Sequence, residues 1–204
     1  MSEVASTHPV TNSTFVQKKF DKNLFGFWVY IMTDCVLFAS LFATYAVLNN
    51  NTNGGPDGRQ LFSLPYILTE TIILLTSSFT CGLAILAARH NHKTKVVGWF
   101  TITFLLGLAF LIMELVEFTH LAHTGNSWTR SGFLSSYFAL VGTHGLHISV
   151  GLLWMLVLIV RVAKSGLKSS TIRRLTMLSL FWHFLDIIWI FIFTIVYLRG
   201  AVQG

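Results

Sequence analysis

Apolar residues in this chain of 204 residues do not alternate with polar ones, nor mark one stripe of a helix; they run on. Five near-continuous apolar stretches stand out, at 24–48, 64–88, 96–122, 132–160 and 175–198, and together they take up 130 of the 204 residues. About 20 apolar residues suffice to cross the hydrocarbon core of a bilayer, so each stretch predicts a membrane-spanning helix. Inside lipid a backbone has no water to bond to, and a helix satisfies its amides within the segment. A membrane β-barrel would instead show alternating segments of roughly ten residues, and none is present. The connections are short. Residues 49–63 contain Asn49-Asn50-Asn51 and Gly54-Gly55-Pro56-Asp57-Gly58, a turn-rich loop. Residues 89–95 are basic, 123–131 polar, and 161–174 basic with Gly166 as a breaker. No loop is long enough for a folded extramembrane domain. Residues 1–23, rich in Ser, Thr and Asn, are expected to form a mobile cytoplasmic tail. They do not resemble a cleaved signal peptide, because the apolar run that follows is too long. The expected architecture is all-α: a polytopic membrane protein whose residues 24–204 form a bundle of five transmembrane helices.

Composition narrows the function classes. Charged residues make up 11% of the chain, against about 25% in a soluble domain. The mean hydropathy of +0.66 excludes a disordered chain. Two Cys cannot staple a fold, and both Cys35 and Cys81 are expected to be buried structural thiols. The net charge of +6 does not point to nucleic acid, since none of the 14 Lys and Arg lies in an apolar run. The charge reports sidedness instead. Eleven of the 14 fall on the side of the N-terminus and three, Arg59, Arg130 and Arg199, on the other. The positive-inside rule then predicts a cytoplasmic N-terminus and, after five spans, a C-terminus outside.

Polar residues within the spans carry the chemistry. Asp34, Glu70, Glu114, Glu117 and Asp186 are five of the 8 acids, and His120, His144, His147 and His183 join them. Ionisable groups at such depth are costly and face a bundle interior, a cavity or a partner. No Lys or Arg shares the spans. Each carboxyl must therefore be neutral, be held by His or hydroxyl groups, or find its partner on lipid or another chain. By position, Asp34, His144, His147, His183 and Asp186 form a mid-depth group of proton-related candidates. Glu70, Glu114, Glu117 and His120 form an outer group, expected to be a lipid-binding or packing patch. The three-residue steps from Glu114 to Glu117 to His120 are expected to put them on one helix face. The residues a turn from Asp34, namely Tyr30, Ile31, Leu37 and Phe38, offer few strong donors. Asp34 is expected to donate to a neighbouring helix, with His144, His147 or Asp186 as acceptor.

Metal chemistry finds little support. Glu117-x-x-His120 matches one unit of a di-iron bundle, which needs two such units and two further Glu. A haem between His183 and His144 or His147 is a possible geometry. A small proton-coupled transporter is a third reading, but no internal repeat and no broken midspan helix supports it. Gly98, Gly107, Gly142, Gly145 and Gly151 permit close helix approach. Trp28, Trp99, Trp128 and Tyr197 near span ends are expected at the interface, and Trp154, Trp182 and Trp189 in the packed interior.

Two strings carry a resemblance. Phe138-Ala139-Leu140-Val141-Gly142-Thr143-His144-Gly145-Leu146-His147 and Trp182-His183-Phe184-Leu185-Asp186-Ile187-Ile188-Trp189 resemble signatures of subunit III of haem–copper respiratory oxidases. Glu114-x-x-Glu117 and the acid at Asp34 fit the same pattern, although that family commonly has Glu where Asp34 stands. The resemblance covers nearly the whole chain from Leu24 onward. Five spans, rather than the seven of many cytochrome c oxidase subunits III, are similar to the branch found in bacterial bo-type ubiquinol oxidases. So are Phe25-Gly26-Phe27-Trp28, Arg130-Ser131-Gly132-Phe133-Leu134 and Glu70. The resemblance implies a subunit of the bacterial inner membrane without catalytic centre, haem or copper of its own. It implies packing against subunit I, which carries haem and copper, contact with further subunits, bound phospholipid, and support for proton uptake in a complex that oxidises ubiquinol. Five-helix subunits III outside the quinol branch keep cytochrome c open as the donor.

Overall fold

In the computed structural model the described residues are 10–49, 64–124, 129, 131–198 and 200. The expectations for residues 1–9, for the loop at 50–63 with Arg59, and for Trp128, Arg130 and Arg199 fall outside them. The helices are α1 (Val10–Leu48), α2 (Leu64–Arg89), α3 (Lys93–His123), α4 (Gly132–Ser165) and α5 (Ser169–Ile192). Wider π turns, Phe193–Leu198, prolong α5. All five are long and apolar enough to cross a membrane. The all-α, five-span fold expected from the apolar runs is present. All five helices reach beyond those runs, α2 by the single residue Arg89. α3 begins at Lys93 and α5 at Ser169, α4 ends at Ser165, and α1 starts at Val10 inside the expected tail. An apolar run marks what lies in hydrocarbon. Lys and Arg favour helix well enough to carry its backbone on past that boundary.

The chain divides into two compact units, residues 1–36 and 37–204. The first is the N-terminal part of α1, where the Thr33 hydroxyl donates to the Tyr30 carbonyl at 2.6 Å. In the second, α2 packs along α3, α3 against α4, α4 against α5, and α5 back against α2, which closes a four-helix ring. Short turns impose antiparallel order on neighbours. His90-Asn91-His92 joins α2 to α3, with Asn91 at φ 58°, a left-handed conformation that Asn tolerates. Gly166 at φ 72° ends α4 three residues before α5 starts. Extended Ser131 caps α4, its hydroxyl accepting from the Leu134 amide at 3.2 Å.

Lipid chains are as apolar as leucine, so packing and interhelical hydrogen bonds hold such a ring together. Of the three deeper tryptophans expected in the interior, Trp182 and Trp189 are fully buried and Trp154 is half-buried. Each fully buried indole donates to a hydroxyl on α2: Trp182 Nε1 to Ser77 Oγ and Trp189 Nε1 to Thr71 Oγ1, both at 3.1 Å. Positions rise along α2 as they fall along α5, as an antiparallel pair requires. Glycine makes the room. A Cβ at Gly107 would stand 2.8 Å from the Trp182 ring, and one at Gly151 would stand 3.1 Å from it. Cys81 is buried, but Cys35 is exposed, contrary to the expectation for both. A thiol behaves as a small hydrophobe, so an outward position in lipid carries no penalty that would drive it inside.

Candidate functional site

The outer acids come together. Glu70 on α2 and Glu114 on α3 are buried, and Glu117 is half-buried. Their carboxyls lie close enough for mutual charge interaction. Glu114 rests on bare backbone, since a Cβ at Gly145 of α4 would come within 2.6 Å of its Oε1. Glu117 has phenolic donors. Tyr197 donates to Glu117 Oε2 at 3.4 Å, Tyr137 also bonds that carboxyl, and the two hydroxyls lie 2.9 Å apart. Glu117 thus takes the hydroxyl route. Among the described residues neither oxygen of Glu70 has a hydrogen-bond partner, nor has Glu114 Oε2. Such orphans are rare in folded proteins, and each calls for an explanation.

Two expectations about this group are corrected. His120 is exposed, away from the buried acids. Each three-residue step turns a helix by roughly 60° short of a full circle, so His120 lies roughly 120° round from Glu114. Tyr197 is not an interfacial ring but fully buried. It lies in the π segment with its hydroxyl spent on Glu117 and Tyr137. Near the same end Tyr66 donates to the Met113 carbonyl at 2.9 Å, tying α2 to α3.

The mid-depth residues separate into three settings. His144 is fully buried; its ring stacks on Trp189 at 5.3 Å and meets the edge of Phe110 at 6.1 Å. Both its nitrogens are buried without a hydrogen-bond partner. His147 bonds the Thr143 carbonyl through Nδ1 at 2.7 Å and lies beside Phe38. His183 and Asp186 of α5 converge on Ser78 of α2. Ser78 Oγ lies 2.6 Å from His183 Nδ1 and close to the Asp186 carboxyl, whose Oδ1 is buried without a hydrogen-bond partner among the described residues. The buried ring nitrogens of His144 leave no open coordination position there, so it does not suit a haem clamp with His183. Among the described residues no group of three or more His, Cys, Asp or Glu is placed to hold a metal ion.

Asp34, in the first unit, has a donor on its own helix: the Tyr30 hydroxyl, one turn earlier, bonds its carboxyl. The expected scarcity of local donors is corrected by this i,i+4 pair, which a phenol is long enough to close. The hydroxyls Thr71, Ser77, Ser78 and Tyr137 were not singled out in the sequence, and Tyr197 was singled out only as an interfacial ring. Thr71 and Ser78 are seven apart, two helical turns, and that spacing places both on one face of α2.

Comparison with known proteins bears on this arrangement. The family model described as cytochrome c oxidase subunit III matches residues 4–201. A cytochrome bo(3) ubiquinol oxidase subunit 3 from Pseudomonas aeruginosa is 59% identical over 88% of this chain and 86% of that protein. The protein of the same description from Pseudomonas putida is 52% identical, over 87% and 86%. A cytochrome c oxidase subunit 3 from Bacillus sp. (strain PS3) is 44% identical, over 98% and 96%. The match runs through every span that holds the buried acids and imidazoles, and on it the chain belongs to the cytochrome c oxidase subunit III family.

Proposed function

We propose that this chain is the non-catalytic subunit III of a bacterial, proton-translocating ubiquinol oxidase. It lies in the inner membrane and packs against the larger subunit that carries haem and copper. It meets further oxidase subunits, holds phospholipid, and sustains assembly and proton uptake while the complex reduces oxygen. The observation that carries this reading is the gradient of identity. Relatives described as bo(3) ubiquinol oxidase subunit 3 reach 59% and 52%, above the 44% of one described as a cytochrome c oxidase subunit. The site supports it as well. The acids are tied to helix packing, Glu117 through the Tyr197 hydroxyl. The N-terminus is placed in the cytoplasm and the C-terminus in the periplasm. The experiment is a purification of the tagged chain from its own membranes. Larger haem-bearing subunits are expected to copurify, and the complex is expected to consume oxygen with a soluble ubiquinol analogue and not with reduced cytochrome c. Oxidation of cytochrome c instead would favour the second reading, a cytochrome c oxidase subunit, which the PS3 relative supports over 98% of the chain. A Soret band from the chain on its own would defeat both readings and favour a haem carrier.

A further inference from the structure

The group of Ser78, His183 and Asp186 lies where a membrane protein should have none facing out. Ser78 is the fifteenth of 26 residues in α2, and His183 the fifteenth of 30 in the span that ends at Leu198. Both are at mid-depth, far from headgroups. Yet His183 is only half-buried, and its one ring bond within the chain is made by Nδ1. Nε2 is not among the buried orphan atoms, so it lies on the open side. Helical spacing places Leu75 and Phe79 around Ser78, and Ile187 one turn beyond His183; these three are 43%, 68% and 53% exposed. The feature is a polar notch with an apolar rim, and an ionisable group at such depth usually faces a bundle interior, a cavity or a partner.

Its chemistry selects the occupant. Nδ1 of His183 is engaged by the Ser78 hydroxyl, and Nε2, on the open side, needs a hydrogen-bonding partner. An acyl chain offers neither donor nor acceptor, and no headgroup reaches the midplane. We infer that the notch of Ser78, His183 and Asp186 on the outward side of α2 and α5 is a docking point for a transmembrane helix of another subunit, whose hydroxyl, amide or other polar side chain hydrogen-bonds His183 Nε2. This inference rests on the reading that the chain is one subunit of a larger oxidase, and it names the surface by which it is held.

The test uses the intact complex. A photo-crosslinking residue is placed at Ile187, and separately at Phe79, and the adducts are identified by mass spectrometry. Retention of the chain on a tagged haem-bearing subunit is followed through detergent washes for His183→Phe and His183→Gln. Both positions are expected to crosslink to a helix of another polypeptide. His183→Phe, which keeps the bulk and loses the ring nitrogens, is expected to weaken retention roughly threefold to tenfold. His183→Gln, whose amide both donates and accepts, is expected to restore most of it. Adducts with lipid alone, or with residues 24–36 of the same chain, together with unchanged retention of His183→Phe, would overturn the inference and leave the oxidase reading intact. Crosslinks to a helix of a protein without haem-bearing companions would uphold the notch and defeat the oxidase reading.

Discussion

Glu114 occupies space that only a glycine opposite can leave. With Gly145→Ala, a methyl group would press on Oε1 of Glu114, the far end of a buried side chain, which must shift to make room. We expect Gly145→Ala to lower the thermal midpoint of the detergent-solubilised complex, and Gly145→Ala with Glu114→Gln to remain as unstable, since Gln keeps the bulk. Recovery in that double variant would mean that charge, not space, is the constraint. The hydroxyl at Tyr197 makes a second case. Tyr197→Phe strips a donor from the half-buried Glu117 and leaves its carboxyl poorer by one bond, at a cost of about 1 kcal/mol. Tyr66→Phe removes a donor from a carbonyl already within a helix and should cost less. Denaturation of both variants in one detergent orders them, and the reverse order would count against the role given to the phenols.

Between elements, α2 and α5 are joined by paired bonds from indole to hydroxyl. A double-mutant cycle of Ser77→Ala with Trp182→Phe should give a coupling of about 0.6–1.7 kcal/mol, the range of such bonds inside membranes. Additive losses would mean that the indole is held by its fit alone. The existence and order of the helices were legible in the sequence, because hydrocarbon admits few alternatives to an apolar helix. The helix ends were not. The start of α1 at Val10 and of α5 at Ser169 lies in polar sequence, where hydropathy has nothing to say. The site was legible as a list of residues and not as an arrangement. Glu70, Glu114 and Glu117 could be grouped by depth alone, and they do meet. His120 was grouped with them by depth as well, and set on their face by three-residue spacing, which ignored the roughly 60° lost at every third residue. Tyr137 escaped notice, and Tyr197 was read as interfacial because phenols are common near span ends; only the turns at Phe193–Leu198 reveal that Tyr197 points inward.

Across the whole molecule, charge and connectivity make one statement. Arg89, Lys93 and Lys95 lie at the end shared by α2 and α3; Lys164, Lys168, Arg173 and Arg174 lie at the end shared by α4 and α5. Both turns belong to the face predicted to be cytoplasmic. A periplasm-active reporter fused after residue 204 is expected to be active, and one inserted at Lys168 inactive. The opposite pattern would invert the molecule or change the number of spans.

The fit around Trp182 also bears on how such a chain can change over time. Its indole touches two helices at glycines, Gly107 and Gly151, and takes a hydroxyl on a third as acceptor. Gly107→Ala alone should lose about 1–3 kcal/mol, because the ring has nowhere to shift. Trp182→Leu alone should leave a void. Made together, the two changes should recover part of the loss, a gain measurable as a higher thermal midpoint than that of Gly107→Ala. Either first step is a loss, so the route to a differently packed interior crosses a valley. A lineage that has acquired this tryptophan between its glycines is held there by the order in which mutations must come, even if other packings would serve it equally well.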